Sequence, residues 1–203
     1  MSDKQRIDRE LEALGKLAPA GYFAGLHIRF ASPLHVFQTY DRAWTDHYTA
    51  QAYAMRDPMI AWGFSTEGET RWSEIELPDP FGILDEAAEF GLKYGMQVSC
   101  GPISSRTIAG AARADREFEA DEMAAIGDII RRLHDLTEPP ESLTQAQIDA
   151  LRLIAAGDRH TAAAAKLKIS ESALKARLTA ARERLHARTT AEALQRAKEY
   201  RLL

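Results

Sequence analysis

The sequence predicts an α/β (α+β) chain in two parts: an N-terminal α-β-α sandwich followed by an all-α four-helix domain of helix-turn-helix layout. Three observations carry this reading. Apolar residues in the first part switch between helical and strand periods, those in the second keep the helical period, and tandem Pro139 and Pro140 forbid a continuous helix between them. The expected organisation is one domain over residues 1–137, a linker over 138–143 and a helical domain over 144–203.

In chain order, Ile7, Leu11, Leu14 and Leu17 recur at helical spacing, and Leu26, Ile28 and Phe30 alternate with His27 and Arg29 as in a half-buried strand. In DPFGILDEAAEFGLKYG, Asp79 is a candidate N-cap, Pro80 suits the first helical turn, and Phe81, Leu84 and Ala88 line one face before Gly95. Residues 97–114 read as two short strands around Gly101 and Pro102. A closing helix carries Phe118, Met123, Ile126, Ile130 and Leu133. Strict βαβ repeats are missing, which argues against a doubly wound sheet.

In the tail, Thr144 and Gln147 form a capping-box pattern, Ile148, Leu151 and Ile154 make an apolar face, and Gly157 stops the helix. HTAAAAKL reads as a short second helix with Ile169 in the turn after it. Ser170 caps a third helix with Leu174, Leu178, Ala181 and Leu185 on one side, and a fourth begins near Thr190.

Composition bounds the function. Apolar residues at 45% and charged residues at 28% of 203 exclude a disordered chain. No apolar run approaches the roughly 20 residues of a membrane span, and the charged N-terminal segment has no apolar signal core, so a cytoplasmic protein is expected. A single cysteine, Cys100, rules out an internal disulfide and reads as a small buried hydrophobe rather than a nucleophile. The histidines at 27, 35, 47, 134, 160 and 186 are scattered without a metal-ligand pattern. An enzyme, a metal and a cofactor are therefore not expected. The net charge of −4 divides into +6 for residues 142–203 and −10 for the rest, which suits a tail that meets a polyanion.

On the third tail helix, Ser170, Ser172, Lys175, Arg177, Thr179 and Arg182 are candidate contacts to double-stranded DNA, through base edges or phosphates. A solvated charged face is the plainer reading. The segment from Leu143 to Leu203 resembles the DNA-binding domain of LuxR-type transcription regulators at Leu143, Thr144, Leu151, Gly157, Ala164, Leu167, Ile169, Ser170, Leu185, Ala193, Leu202 and Leu203. It departs at Gln147, Ala162, Ala163, Ala173 and Arg177, where the family usually has Glu, Glu, Ile, Thr and His. Paired half-site reading by such motifs implies a homodimer.

The stretch YDRAWTDHYTAQAYAMRDP, with Tyr40, Trp44, Tyr48, Asp57 and Pro58, followed by Trp72 and Gly95, resembles the autoinducer-binding domain of quorum-sensing regulators. The resemblance implies an acyl-homoserine lactone as ligand and no membrane partner. Trp44 would donate to the lactone carbonyl, Asp57 accept from the amide N–H and Tyr40 donate to the amide carbonyl. Trp72 would wall the ring, while Tyr48 and Met55 would line the acyl path on one helical face with Trp44. The serine or threonine that the family often has near residues 110–112 is replaced here by Gly110, Ala111 and Ala112. Taken singly, Asp57 before Pro58 is an N-cap, the aromatics are core residues and Gly95 ends a helix. The alternative to a lactone sensor is an orphan regulator that responds to another small molecule or to none, acting through heterodimers.

Overall fold

Among the described residues, five strands between Tyr22 and Arg113 pair side by side, antiparallel throughout: β1 (Tyr22–Ile28), β2 (His35–Gln38), β3 (Gly68–Arg71), β4 (Tyr94–Cys100) and β5 (Arg106–Arg113), in the order β2-β1-β5-β4-β3. The computed structural model describes residues 2–28, 32–138, 143–185, 187–200 and 202–203. The chain divides into two units, Met1–Glu138 and Pro139–Leu203. Pro139, Pro140 and their neighbours to residue 142, with Arg29, Phe30 and His186, lie outside the described residues.

Side-chain alternation sorts two helical layers onto the two faces of the sheet. Met96, Val98, Ala109 and Ala111 face α1 (Asp3–Leu17) and α5 (Ala120–Leu136), where Leu14, Ile126, Ile130 and Leu133 are buried with them. The intervening positions face α2 (Arg42–Ala50), α3 (Pro58–Ser65) and α4 (Ile83–Glu89). Thus Ser99 donates to the Gly63 carbonyl at 2.6 Å, and Ala112 packs with Trp44, Ile83 and Ala87. Small residues on β5 let both layers approach closely.

Three readings of the sequence need correction. β1 is not half-buried: Ala24 through Ile28 are all buried. His27 stands at φ 52° in a bulge, where its ring bonds Ser105 Oγ at 2.9 Å and the His134 carbonyl at 3.0 Å and stacks on His134. Second, α4 begins after a left-handed Gly82 rather than at Pro80, so its buried face is Ile83 and Ala87 and Phe81 is exposed. Asp79 does accept from an amide of that helix, Leu84, at 2.9 Å. Third, Gly95 is in β4 and ends no helix. Phe118, buried, precedes α5.

The second unit contains α6 (Gln145–Ala155), α7 (His160–Lys166), α8 (Glu171–Arg184) and α9 (Thr190–Glu199) around Leu151, Leu174, Leu178, Leu185 and Ala193. Thr144 and Gln147 cap α6 reciprocally. Gly157, at φ 87°, closes its end. Between α7 and α8 the chain turns through Lys168, at φ 55°, and Ser170 caps α8 by accepting from the Ala173 amide at 3.2 Å. No helix among the described residues is long and apolar enough to cross a membrane.

Two glycines make opposite predictions. A Cβ on Gly95 would sit 2.1 Å from Trp72 Cδ2, inside the space of a rigid indole ring. Gly95→Ala should therefore lower stability by about 1–3 kcal/mol. Gly15, in exposed α1, meets nothing nearer than Tyr22 Cε1 at 4.0 Å. Gly15→Ala should raise stability by up to about 1 kcal/mol through helix propensity. Thermal melts of the two variants against the parent check both signs.

Candidate functional site

Between the sheet and the α2–α4 layer lies a cavity of about 440 Å³. Phe23, Gln97 and Gly110 reach it from the sheet, Trp44, Thr45, Tyr48 and Thr49 from α2, and Met59, Ile60, Ile83, Leu84 and Ala87 from α3 and α4. Such a volume, mostly apolar with a few convergent polar groups, is of the kind that encloses a small amphipathic molecule.

The segment from Asp41 to Met59 positions the polar end. Asp41 caps α2 by accepting from the Ala43 amide at 2.7 Å, and the nine-residue helix puts Trp44 and Tyr48 on one side. A left-handed Ala52 ends that path and a 3-10 turn, Tyr53–Met55, leads to Asp57. Pro58 has no N–H and fits the first helical position, so Asp57 Oδ1 accepts from the next amide, Met59, at 2.7 Å. Its other oxygen, Oδ2, accepts from the Tyr48 hydroxyl at 2.7 Å. Asp57 is both a helix cap and a cavity residue.

Burial pushes the Asp57 carboxyl above the ordinary carboxylate pKa, and the Tyr48 hydroxyl and the Met59 and Ile60 amides pull it part of the way back. Burial, with the Asp57 charge nearby, raises the pKa of both Tyr40 and Tyr48, so these phenols act as neutral donors. Tyr40 donates to the Gly110 carbonyl at 3.0 Å. The outer side of the layer is tied by Glu86, which meets the His47 ring at 2.6 Å and accepts from the Tyr53 hydroxyl at 2.7 Å. The rings of Trp44, Tyr48 and Tyr53 pack at centroid separations of 5.5–6.5 Å.

The five predicted ligand contacts, Tyr40, Trp44, Tyr48, Asp57 and Trp72, all line this one cavity. Trp44 is buried, and its indole N–H has no acceptor among the described residues. The Trp72 indole N–H is also buried and unpartnered, with the ring packed over Gly95. Met55 needs correction. It does not share a helical face with Trp44 and Tyr48, because α2 stops at Ala50, and it is 85% exposed at the cavity edge. Sequence reasoning missed Phe23, Ile83 and Gln97. A lone amide within the apolar YGMQVSC strand was the available signal for Gln97.

In the second unit, Ser172, Lys175, Thr179 and Arg182 share one face of α8, at spacings of three, four and three residues. Lys175 is exposed. Arg182 is half-buried, donating to Thr179 Oγ1 at 3.1 Å and to the Arg188 carbonyl. Arg177 falls on the other flank of the Leu174–Leu178 stripe, separate from that face. Ser170 is engaged at the helix start, its hydroxyl 2.9 Å from that of Ser172.

Residues 29–135, more than half of the chain, match the family described as the autoinducer binding domain. The chain belongs to that family. It is 28% identical over 160 residues to the HTH-type quorum-sensing regulator RhlR of Pseudomonas aeruginosa, a match covering 71% of this chain and 66% of RhlR, just under two thirds. In fold it is similar to Escherichia coli SdiA, with a TM-score of 0.55 and 20% identity over 100% of this chain and 92% of SdiA. It is similar also to SdiA in complex with octanoyl-rac-glycerol, with a TM-score of 0.54 and 17% identity over 98% of this chain and 89% of the other. The family's relatives are regulators and not enzymes. Cys100 accords with that, since burial pushes its thiol up to about 11, away from a reactive thiolate.

The raised Asp57 pKa fixes the sign of a pH effect. Where the folded carboxyl holds its proton and the unfolded one has lost it, the native state binds more protons, so stability falls as pH rises through the folded pKa. In Asp57→Asn, which keeps an acceptor for the Met59 amide, that contribution should vanish. Denaturant titrations of the ligand-free protein from pH 4 upward, parent against variant, should show the difference in slope.

Proposed function

We propose that the chain is a ligand-responsive transcription regulator. It binds an acyl-homoserine lactone in the cavity beside Asp57 and, as a homodimer in the cytoplasm, reads double-stranded DNA with α8. One observation carries the ligand half: Tyr40, Trp44, Tyr48, Asp57 and Trp72 converge on a single largely apolar cavity. A lactone offers a carbonyl, an amide N–H, an amide carbonyl and a fatty tail. In the reading favoured here the free Trp44 N–H donates to the lactone carbonyl, Asp57 accepts from the amide N–H, and Tyr40 turns from Gly110 to the amide carbonyl. Both carbonyls and the amide N–H of the ligand then have a partner, and leaving one without would cost about 1–3 kcal/mol.

For the DNA half the support is the basic balance of residues 142–203 and the short turn between α7 and α8, followed by a helix on which Lys175 is exposed. Ser170, Ser172 and Thr179 lie at the start of that face or on it, with Arg182 at its edge. Arg177 is the weakest member of the set because it occupies the other flank. Metal and cofactor play no part in this reading.

Extraction of the protein from a lactone-producing host, followed by mass spectrometry, should recover a lactone at close to one equivalent. Recovery of an acylglycerol, or of nothing on repeated extraction, would reject the lactone. Asp57→Asn should weaken lactone affinity by roughly tenfold or more, the value of a hydrogen bond to a charged group, as measured by calorimetry. For DNA, Lys175→Ala should weaken binding uniformly across sequences and reduce the slope of log K against log salt by about one. Arg182→Ala should act more weakly, its guanidinium being shared with Thr179 and Arg188.

A further inference from the structure

Gln97 has no role in the ligand reading above, yet its environment demands one. It lies in the middle of β4, directly opposite Gly110 of β5, and it lines the cavity while only 3% exposed. Its side-chain amide makes no hydrogen bond among the described residues. Its neighbours on the same side of β4 are occupied: Gly95 carries the Trp72 ring, and Ser99 donates to Gly63. A buried primary amide, able both to donate and to accept, is thus held against an apolar hollow without a partner. Burial without compensation is unfavourable, and such groups in native proteins ordinarily find protein, water or ligand.

Gly110 is what makes room for it. A Cβ at residue 110 would lie 2.9 Å from Gln97 Oε1 and 3.2 Å from the Tyr40 hydroxyl oxygen. A side chain there would crowd both polar groups and push the Gln97 amide aside. Both polar groups therefore border the same point of the cavity wall. Tyr40 is the residue expected to meet the acyl carbonyl. An oxygen on the third carbon of an acyl chain is only two carbons from the acyl carbonyl, so a chain whose carbonyl meets Tyr40 carries that oxygen along the stretch of wall that Gln97 lines.

We infer that Gln97 is a specificity-determining residue that hydrogen-bonds an oxygen, oxo or hydroxyl, on the third carbon of the acyl chain. The inference rests on the lactone reading of the cavity. An oxo group would accept from the Gln97 N–H₂, and a hydroxyl could donate to its carbonyl as well. An unsubstituted chain would leave the amide buried and unpaired.

The experiment compares three acyl-homoserine lactones of one chain length, unsubstituted, 3-oxo and 3-hydroxy, binding to the full chain and to its Gln97→Leu variant, by calorimetry. The parent should bind at least one substituted lactone roughly tenfold more tightly than the unsubstituted one. Gln97→Leu should abolish that preference while binding the unsubstituted lactone as well as the parent or better. Its ligand-free melting temperature should hold or rise, because an unpaired polar group has been removed. Equal affinity of the parent for all three lactones, or a uniform loss of affinity in a folded variant, overturns the role of Gln97 alone. Failure of the parent to bind any of the three overturns the lactone reading and this inference with it. If Gln97→Leu does not fold, Gln97→Met replaces it, with the same outcomes.

Discussion

The first unit depends on the two bonds that Asp57 makes at once. One carboxylate oxygen closes the start of α3 and the other holds the Tyr48 hydroxyl of α2, so a single side chain joins the two helices and sets the polarity of the cavity between them. Neither bond alone would justify a carboxylate beside a largely apolar hollow. A cap works as well on a surface, and a buried charge is unfavourable unless its acceptor sites are used. Here Pro58 withholds its own amide and directs the cap to Met59, leaving Oδ2 facing Tyr48. The local rule that starts a helix and the polar chemistry of the cavity share one group, and any molecule that binds there must compete or cooperate with both.

The hollow itself is a consequence of small residues. On β5, Ala109 and Ala111 let α1 and α5 pack against one face, while Gly110 and Ala112 leave space on the other. Gly95 admits the Trp72 ring, and Gly63 lets α3 approach Ile108, whose side-chain carbons would lie 2.8 Å from any Cβ there. A sheet of large β-branched residues would have filled this volume with its own side chains. The chain places alanine and glycine where the sheet is central and buried, which lowers strand propensity and preserves space.

The parts of this arrangement that were legible in the sequence are those governed by local rules. Thr144 with Gln147 and Ser170 before α8 are caps whose partners lie three residues away, and the Ile126, Ile130 and Leu133 stripe needs only the helical period. The cavity residues were legible as a spaced resemblance, not as geometry. Nothing local tells that Tyr48 meets Asp57 rather than solvent, because that contact depends on the left-handed Ala52 that reverses the path between them. The same turn defeated the placement of Met55. β1 was misread because alternation of Leu26, His27 and Ile28 normally marks one wet face, whereas here a bulge and the end of α5 enclose His27 in hydrogen bonds from residues about 80 and 110 positions away. Gln97 was passed over for a similar reason: a single polar residue in a strand usually faces water.

The two faces of the sheet are unequally complete, and this bears on what a ligand can do. On the α1–α5 side Leu14, Phe118, Ile126, Ile130 and Leu133 are fully enclosed by one another and by the sheet. On the other side Trp44, Tyr53, Ile83 and Ala87 form a smaller cluster around the 440 Å³ hollow, with Met55 left exposed at its edge. Missing contacts in a cavity wall are a loss that only an occupant restores. An occupant would make its new contacts chiefly with the α2–α4 layer, and would stabilise the native state by about 2.7 kcal/mol at a concentration one hundred times its Kd. Since a ligand shifts only equilibria between states it binds unequally, the states it selects must differ in that layer. The closed α1–α5 core, by contrast, contributes no residue to the cavity wall, so an occupant would touch neither of those helices.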